Sequence, residues 1–225
     1  MNKPIKLSHS YSSIKMYENC PYRYYRQRIV KDVIDEGSVA TKMGEDIHKA
    51  LELRLKERKE LPFTLTGLEP TCKTIEAKEG QLLLEKELTL TKDLRPTTWF
   101  AKDAWLRSKL DVLHMLGDKA TVLDWKTGKR RVDSFQLDLF AAQVFQHYPD
   151  IQVVNTALVW TKDKEIDTFT HRRESVASLW EDILSRISRI QRSADTDKWQ
   201  VRPSGLCRWC PLYGKCPATK GEENG

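Results

Sequence analysis

The sequence predicts an α/β fold in which a central mixed β-sheet is flanked by helices. Three observations carry that expectation. Two apolar, strand-like runs over 105–115 and 120–126 are separated by Gly117-Asp118, the signature of a hairpin. The run 151–160 is mostly apolar and rich in β-branched residues, as a strand buried on both faces would be. Segments 42–58 and 174–192 repeat their apolar residues at helical spacing, and a sheet needs such helices to cover it.

In chain order, 8–30 reads as helical, with Ser12 or Ser13 as its cap and Pro21 as a break or first-turn residue. Over 42–58, Met43, Ile47, Leu51 and Leu55 form an apolar stripe and Leu61-Pro62 follows the end. Residues 61–74 read as loop, and 74–84 as a short helix running into a strand near 82–90. After the hairpin, 134–148 is a helix stopped by Pro149. A strand at 166–171 returns against 151–160 after the polar turn 162–165. The helix 174–192 presents Val176, Leu179, Trp180, Ile183, Leu184, Ile187 and Ile190 on one face.

A chain of 225 residues can bury a substantial core, and its length favours one domain over 1–225. The core is expected over 40–193, with a second module made of 8–30 plus 199–217. Hydrophobic residues are 40% and charged residues 31% of the chain, with no apolar run near membrane-spanning length and no leader before Ser8-His9-Ser10. A soluble, cytoplasmic protein with no membrane association is the expectation. The formal charge of +6 favours polyanionic partners. Tyr22-Arg23-Tyr24-Tyr25-Arg26-Gln27-Arg28 interleaves rings and guanidinium groups, which suits stacking on bases and neutralising phosphates. The competing reading is a helix with tyrosines packed inward and arginines solvated.

Cys20 lies near the start, and Cys207, Cys210 and Cys216 form a C-x2-C-x5-C run near the finish. Four thiolates suit one inorganic centre, zinc or an iron–sulfur cluster, and composition does not separate the two. Cys72 stands apart as a plain thiol.

Three acidic-x-Lys tripeptides occur: Glu57-Arg58-Lys59, Glu76-Ala77-Lys78 and Asp124-Trp125-Lys126. The first two fall in helical contexts, where i and i+2 diverge. The third ends a strand, where the period of two puts Asp124 and Lys126 on one face. A two-residue turn at Gly117-Asp118 would set Asp111 opposite Asp124 and Lys109 opposite Lys126. Facing carboxylates repel unless a cation lies between them, and oxygen donors suit magnesium or manganese. His48 lies beside the core stripe of the early helix, and Gln136 and Phe140 share a helical face after the hairpin. Glu85 or Glu87 on the preceding strand offers a further carboxylate.

In order, Cys20-Pro21, Gly44-x3-His48, Asp111, Asp124-x-Lys126, Gln136-x3-Phe140 and the closing cysteines resemble the RecB-type branch of the PD-(D/E)XK nucleases. More narrowly, they resemble its iron–sulfur exonucleases, which include CRISPR-adaptation nucleases, the AddB nuclease domain and phage relatives. Phe140 stands where the family often has tyrosine, and Ser108 where it often has glycine. The resemblance implies a restriction-endonuclease-like core and a metal-dependent DNA nuclease, an exonuclease on single-stranded ends acting in repair, recombination or processing. It implies that His48, Asp111, Asp124 and the Trp125 backbone carbonyl hold one or two Mg2+ or Mn2+ ions, with Lys126 and Gln136 as catalytic residues. It also implies a structural 4Fe-4S cluster on Cys20, Cys207, Cys210 and Cys216, joining the N- and C-terminal segments. Tyr22, Arg23, Tyr24, Arg26 and Arg28 would contact DNA, and a homo-oligomer or a repair or CRISPR-adaptation complex is the expected setting. The alternative is a non-catalytic, zinc-stabilised nucleic-acid-binding module. No G-x4-G-K-[ST] phosphate loop is present, so no motor lies within the chain.

Overall fold

The computed structural model describes residues 7–220. The chain forms two compact units, one of Gly37–Glu181 and one of Met1–Glu36 with Asp182–Gly225. Among the described residues, no helix is long and apolar enough to cross a membrane.

The unit Gly37–Glu181 is built on a five-stranded sheet in the order β1-β2-β3-β4-β5: Gln81–Leu90, Leu106–Leu116, Lys119–Lys126, Val153–Trp160 and Glu165–Arg172. Neighbours are antiparallel except β3 and β4, which run parallel and are joined by helix α5, Ser134–His147. A parallel pair needs such a crossover, whereas the antiparallel pairs are joined by turns and loops. The β2–β3 hairpin closes on Gly117 at φ +58°, a conformation that the first position of a two-residue turn asks of glycine. Its register is the expected one, with Leu116 opposite Lys119 and Val112 opposite Leu123.

Each face of the sheet carries its own apolar cluster. On one, Leu137, Phe140, Ala141, Val144 and Phe145 of α5 pack with Leu88, Leu110, Leu113, Val122, Val154 and Leu158. On the other, Leu51 and Leu55 of α3 (Val39–Glu57) and Cys72 and Ile75 of α4 (Glu69–Glu76) pack with Val112, Trp125 and Val159. Arg54 joins α3 to α4. Its buried guanidinium donates to Glu69 at 2.9 Å and to Glu76 at 2.8 Å, so Glu76 of the second acidic-x-Lys tripeptide serves an ion-paired clamp.

Of the residues 61–74 expected as loop, 63–74 are helical: a 3-10 turn, Phe63–Leu68, leads directly into α4. Pro70 sits in the first turn of α4, where its missing N–H costs nothing, and Leu65, Leu68, Cys72 and Ile75 are spaced to face the core. The helix expected over 74–84 therefore ends at Glu76. Helix α3 starts at Val39, capped by Ser38, and its first turns stay in solvent. Met43, expected in the core stripe, is 59% exposed.

In the unit of Met1–Glu36 with Asp182–Gly225, the expected helix over 8–30 is interrupted. Helix α1 (Tyr11–Asn19) is capped by Ser10, which forms a capping box with Ser13, and not by Ser12 or Ser13. Cys20 then turns extended, at φ −159° and ψ 106°, as a residue before proline favours. Helix α2 (Pro21–Tyr24) runs into a π-helical turn, Tyr25–Val30. The N- and C-terminal segments meet through aromatic rings. Trp199 stacks on Tyr24 and Tyr25, Tyr17 meets Tyr24 edge to face, and Tyr22 N–H donates to Gln200 O at 3.0 Å. The last helix, α6 (Val176–Thr196), buries Trp180, Ile183, Ile187 and Ile190, while Leu184, expected on that face, is 39% exposed.

Candidate active site

Four elements bring the motif residues of the Gly37–Glu181 unit together. Helix α3 supplies His48, β2 supplies Asp111, the end of β3 supplies Asp124, Trp125 and Lys126, and the first turn of α5 supplies Gln136. Gly44 lets α3 approach the exit of β3, since a Cβ there would lie 3.0 Å from Thr127 Oγ1. Between α3 and the sheet opens a cavity of about 620 Å³, lined among others by Gly44, His48, Glu52, Glu85, Lys109 and Asp111.

The β2–β3 ladder ends at Val112 opposite Leu123, one pair short of the expected Asp111–Asp124 pairing. In place of a further rung, the Trp125 N–H donates to Asp111 Oδ2 at 2.8 Å, and Asp111 Oδ1 lies 3.2 Å from His48 Nδ1. The expected pairing of Lys109 with Lys126 is likewise absent from this ladder; Lys109 instead forms an ion pair with Glu85. The same position is irregular in β1. Glu85 has φ +51°, and the β1–β2 pairing passes from Leu84–Val112 to Lys86–Leu110 without it. Leu82 and Leu84 join the α3 cluster but Leu88 joins the α5 cluster, so the pleat changes face across Glu85. Glu85 thereby reaches the cavity that Asp111 lines, whereas Glu87 is exposed.

Asp124 lies beneath, only 6% exposed. Gln136 bridges it to Lys126: the amide Nε2 donates to Asp124 Oδ1 at 3.0 Å, and Oε1 accepts from Lys126 Nζ at 2.6 Å. Lys126 Nζ also forms an ion pair with the buried Asp124 Oδ2 at 2.7 Å. Burial pushes the Asp124 carboxyl up to about 6; the Lys126 charge opposes the shift and Asp111 adds to it. For His48, burial favours the neutral ring, but the Asp111 hydrogen bond and the charges of Asp111, Asp124 and Glu85 outweigh it and raise the pKa. Phe140, a turn after Gln136, is a core residue, and Ser108 Oγ accepts from Gln143 Nε2 at 2.8 Å. After β3, Arg130 pairs with Asp167 and Glu165, which pins the loop leading into α5.

The buried Asp124 carboxylate, with Asp111 and His48 nearby, fits a hard divalent cation in donor type. Among the described residues, no three His, Cys, Asp or Glu side chains are grouped as a metal would hold them. The carboxylates turn instead to His48, Lys126, the Gln136 amide and the Trp125 N–H. The same holds for the cysteines. All four are free thiols in the other unit, Cys216 buried and the rest half-buried. Burial raises the Cys210 thiol, and Cys20 and Cys207 lie near enough to add to the shift. Number and type of donor fit a four-thiolate centre. Cys72 is buried against α3, which raises its thiol to about 11 and agrees with a plain core residue.

The aromatic-basic run is largely engaged within its own unit. Tyr24, expected to contact DNA, is 1% exposed and packed on Tyr17 and Trp199, so its ring has no face for a base. Arg23 pairs with Asp35 at 2.7 Å, and Arg26 with Asp32 at 2.7 Å while donating to Tyr22 Oη. Arg28 is exposed.

Among curated proteins, none matches this sequence. Solved structures do resemble the fold. A Eubacterium rectale protein named as a candidate exonuclease aligns with a TM-score of 0.55 at 14% identity, covering 97% of this chain and 89% of its own. The protein SSO0001 aligns at 0.48 and 13% identity over 97% of this chain and 89% of its own. LHK-Exo, solved in complex with dAMP, aligns at 0.34 and 11% identity over 81% of this chain and 93% of its own. The model of the PD-(D/E)XK nuclease superfamily matches residues 8–217, nearly the whole chain. With its mixed sheet and flanking helices, this chain belongs to the PD-(D/E)XK nuclease superfamily.

Proposed function

We propose that this nuclease is a divalent-metal-dependent exonuclease acting on single-stranded DNA ends and that it carries a structural 4Fe-4S cluster. The observation that carries the catalytic part is the linked set Asp124, Lys126 and Gln136 around a buried carboxylate, with Asp111 held beside it by His48 and the Trp125 N–H. His48, Asp111, Asp124 and the Trp125 carbonyl would hold Mg2+ or Mn2+, and Glu85 faces the same cavity. A divalent cation bound there would supply Lewis-acid stabilisation of the phosphate and lower the pKa of a water.

The protein's own groups do the rest. Hydrolysis breaks a P–O bond as water adds at phosphorus, and negative charge grows on the non-bridging oxygens. Lys126, held by Gln136 at 2.6 Å, presents a fixed ammonium to that charge, an electrostatic role. The Trp125 N–H fixes the Asp111 carboxylate, and Gln136 fixes Asp124, so neither has to reorganise as charge develops. To serve as a ligand His48 would have to be neutral, so binding of the cation would weaken as pH falls.

The exonuclease and single-strand readings rest on the motif order that resembles the iron–sulfur exonucleases, and the name of the Eubacterium rectale protein agrees with the exonuclease reading alone. The cluster reading rests on the four thiols gathered in one unit. The proposed setting is DNA repair, recombination or processing, with the chain acting as a homo-oligomer or within a repair or CRISPR-adaptation complex. The test incubates the full chain, purified anaerobically, with end-labelled single- and double-stranded DNA in Mg2+, Mn2+ or EDTA. Divalent-dependent shortening of single strands from an end is expected. Binding without cleavage would overturn the nuclease reading in favour of a non-catalytic module, and zinc without a broad absorbance near about 400 nm would overturn the cluster reading.

A further inference from the structure

A second cavity, of about 320 Å³, lies wholly in the unit of Met1–Glu36 with Asp182–Gly225, which holds none of the groups placed in the cleavage chemistry. Its lining is basic: Arg189, Arg192, Lys198 and Arg202 against a single carboxylate, Glu18. That carboxylate is already engaged, by Arg186 at 2.6 Å, Lys15 at 3.2 Å and Arg189 at 3.3 Å. Arg202 donates to the Glu18 backbone carbonyl at 2.6 Å, which directs its guanidinium to the same place. Arg192 and Lys198 are exposed and make no ion pair among the described residues.

Beneath them, Tyr17, 8% exposed, donates its hydroxyl to Arg189 O at 2.9 Å and lies 2.7 Å from Ser193 Oγ, so these hydroxyls hold the floor of the hollow and leave the ligand to the cations. Several guanidinium and ammonium groups around a concavity are a donor set that a phosphate oxygen accepts from. Arg189 and Arg192 come from α6, whose last turn carries no basic residue, and Lys198 and Arg202 come from the following segment; all four converge on the same hollow.

We propose that this cavity is a phosphate-binding site for a nucleic-acid backbone, separate from the cleavage site, through which the unit bearing the four cysteines grips the strand. The inference rests on the nuclease reading for the identity of the polyanion, and on the cavity itself for the binding.

The test measures equilibrium binding of a fluorescent single-stranded oligonucleotide to the full chain in EDTA, where no cleavage is needed, across a salt series. Arg192→Ala/Lys198→Ala should bind about 10- to 25-fold more weakly near about 0.1 M salt, and its log K against log salt slope should fall by about 1.4, two single-strand contacts' worth. Arg192→Lys/Lys198→Arg should keep the slope, and hydrolysis of the small diester bis(4-nitrophenyl) phosphate should stay at the parent rate. Lys59→Ala/Lys78→Ala removes the same charge from exposed positions of the other unit and should leave the slope close to parental. A parental slope in Arg192→Ala/Lys198→Ala, or an equal loss in the Lys59/Lys78 control, overturns the site. Slope loss in a protein that binds but never cleaves sustains the site and removes the nuclease reading. Cleavage with an unchanged slope does the reverse.

Discussion

Replacing Asp124 with asparagine removes one negative charge from the most buried point of the candidate active site while keeping an oxygen to accept from Gln136. Burial holds the Asp124 carboxyl at about 6 against an ordinary 3.8, a value already net of the attraction of Lys126. Below 3.8 the group is protonated in both folded and unfolded chains and contributes nothing. Between 3.8 and 6 the folded chain binds a proton that the unfolded chain has lost, so folding stability falls as pH rises. Above 6 the full cost is present, about two pH units or about 3 kcal/mol. Asp124→Asn should therefore be the more stable protein at pH 7.5 in EDTA, by about 3 kcal/mol or roughly 6–12 °C in melting temperature for a chain of this length. The advantage should vanish by pH 4. Mg2+ at a hundredfold excess over its Kd should raise the parent by about 2.7 kcal/mol and leave Asp124→Asn unmoved. Thermal melts of both proteins from pH 4 to 8, with EDTA and with Mg2+, read all of these. An asparagine variant less stable than the parent at pH 7.5 in EDTA would refute the reasoning, because the Lys126 contact would then outweigh the desolvation of the carboxylate.

Lys126→Ala should lower single-strand cleavage by about 100- to 1,000-fold while leaving Mg2+-induced stabilisation in place, measured by product formation alongside thermal shift. Arg54→Ala strands Glu69 and Glu76 against a half-buried surface and should cost about 2 kcal/mol in urea unfolding, with the cleavage chemistry retained in the folded fraction. Trp199→Ala removes the ring that stacks on Tyr24 and Tyr25 and should cost about 3 kcal/mol. Cys207→Ala should lose the absorbance near about 400 nm and the bound iron, and should be less stable than the parent. If Trp199→Ala left stability unchanged, the aromatic clasp would not be what joins the terminal segments.

The hairpin was legible because its determinants are local. A glycine at the turn and a period of two on either side place Val112 opposite Leu123 without knowledge of the rest of the chain. The helical site residues were legible for the same reason, since Gly44-x3-His48 and Gln136-x3-Phe140 each lie within one or two turns. Glu85 was named only as one of two choices. What selects it over Glu87 is a left-handed residue and a change of pleat, and no propensity of Glu-Lys-Glu announces either. Tyr24 shows the limit in another form. A tyrosine–arginine run has one composition whether its rings face bases or a core, and the deciding partner, Trp199, lies at the far end of the chain.

The sequence by itself determined the α/β class, the order of the strands along the chain, the hairpin register and the residue types proposed here to carry chemistry. These follow from side-chain period, turn chemistry and residue type, all of which act over a few positions. Only the tertiary structure decided that the β2–β3 ladder stops before Asp111, that Gln136 ties Lys126 to a buried Asp124, and that the terminal segments close on stacked aromatic rings. Those outcomes depend on which surfaces meet, and on the desolvation and pairing of polar groups where they do.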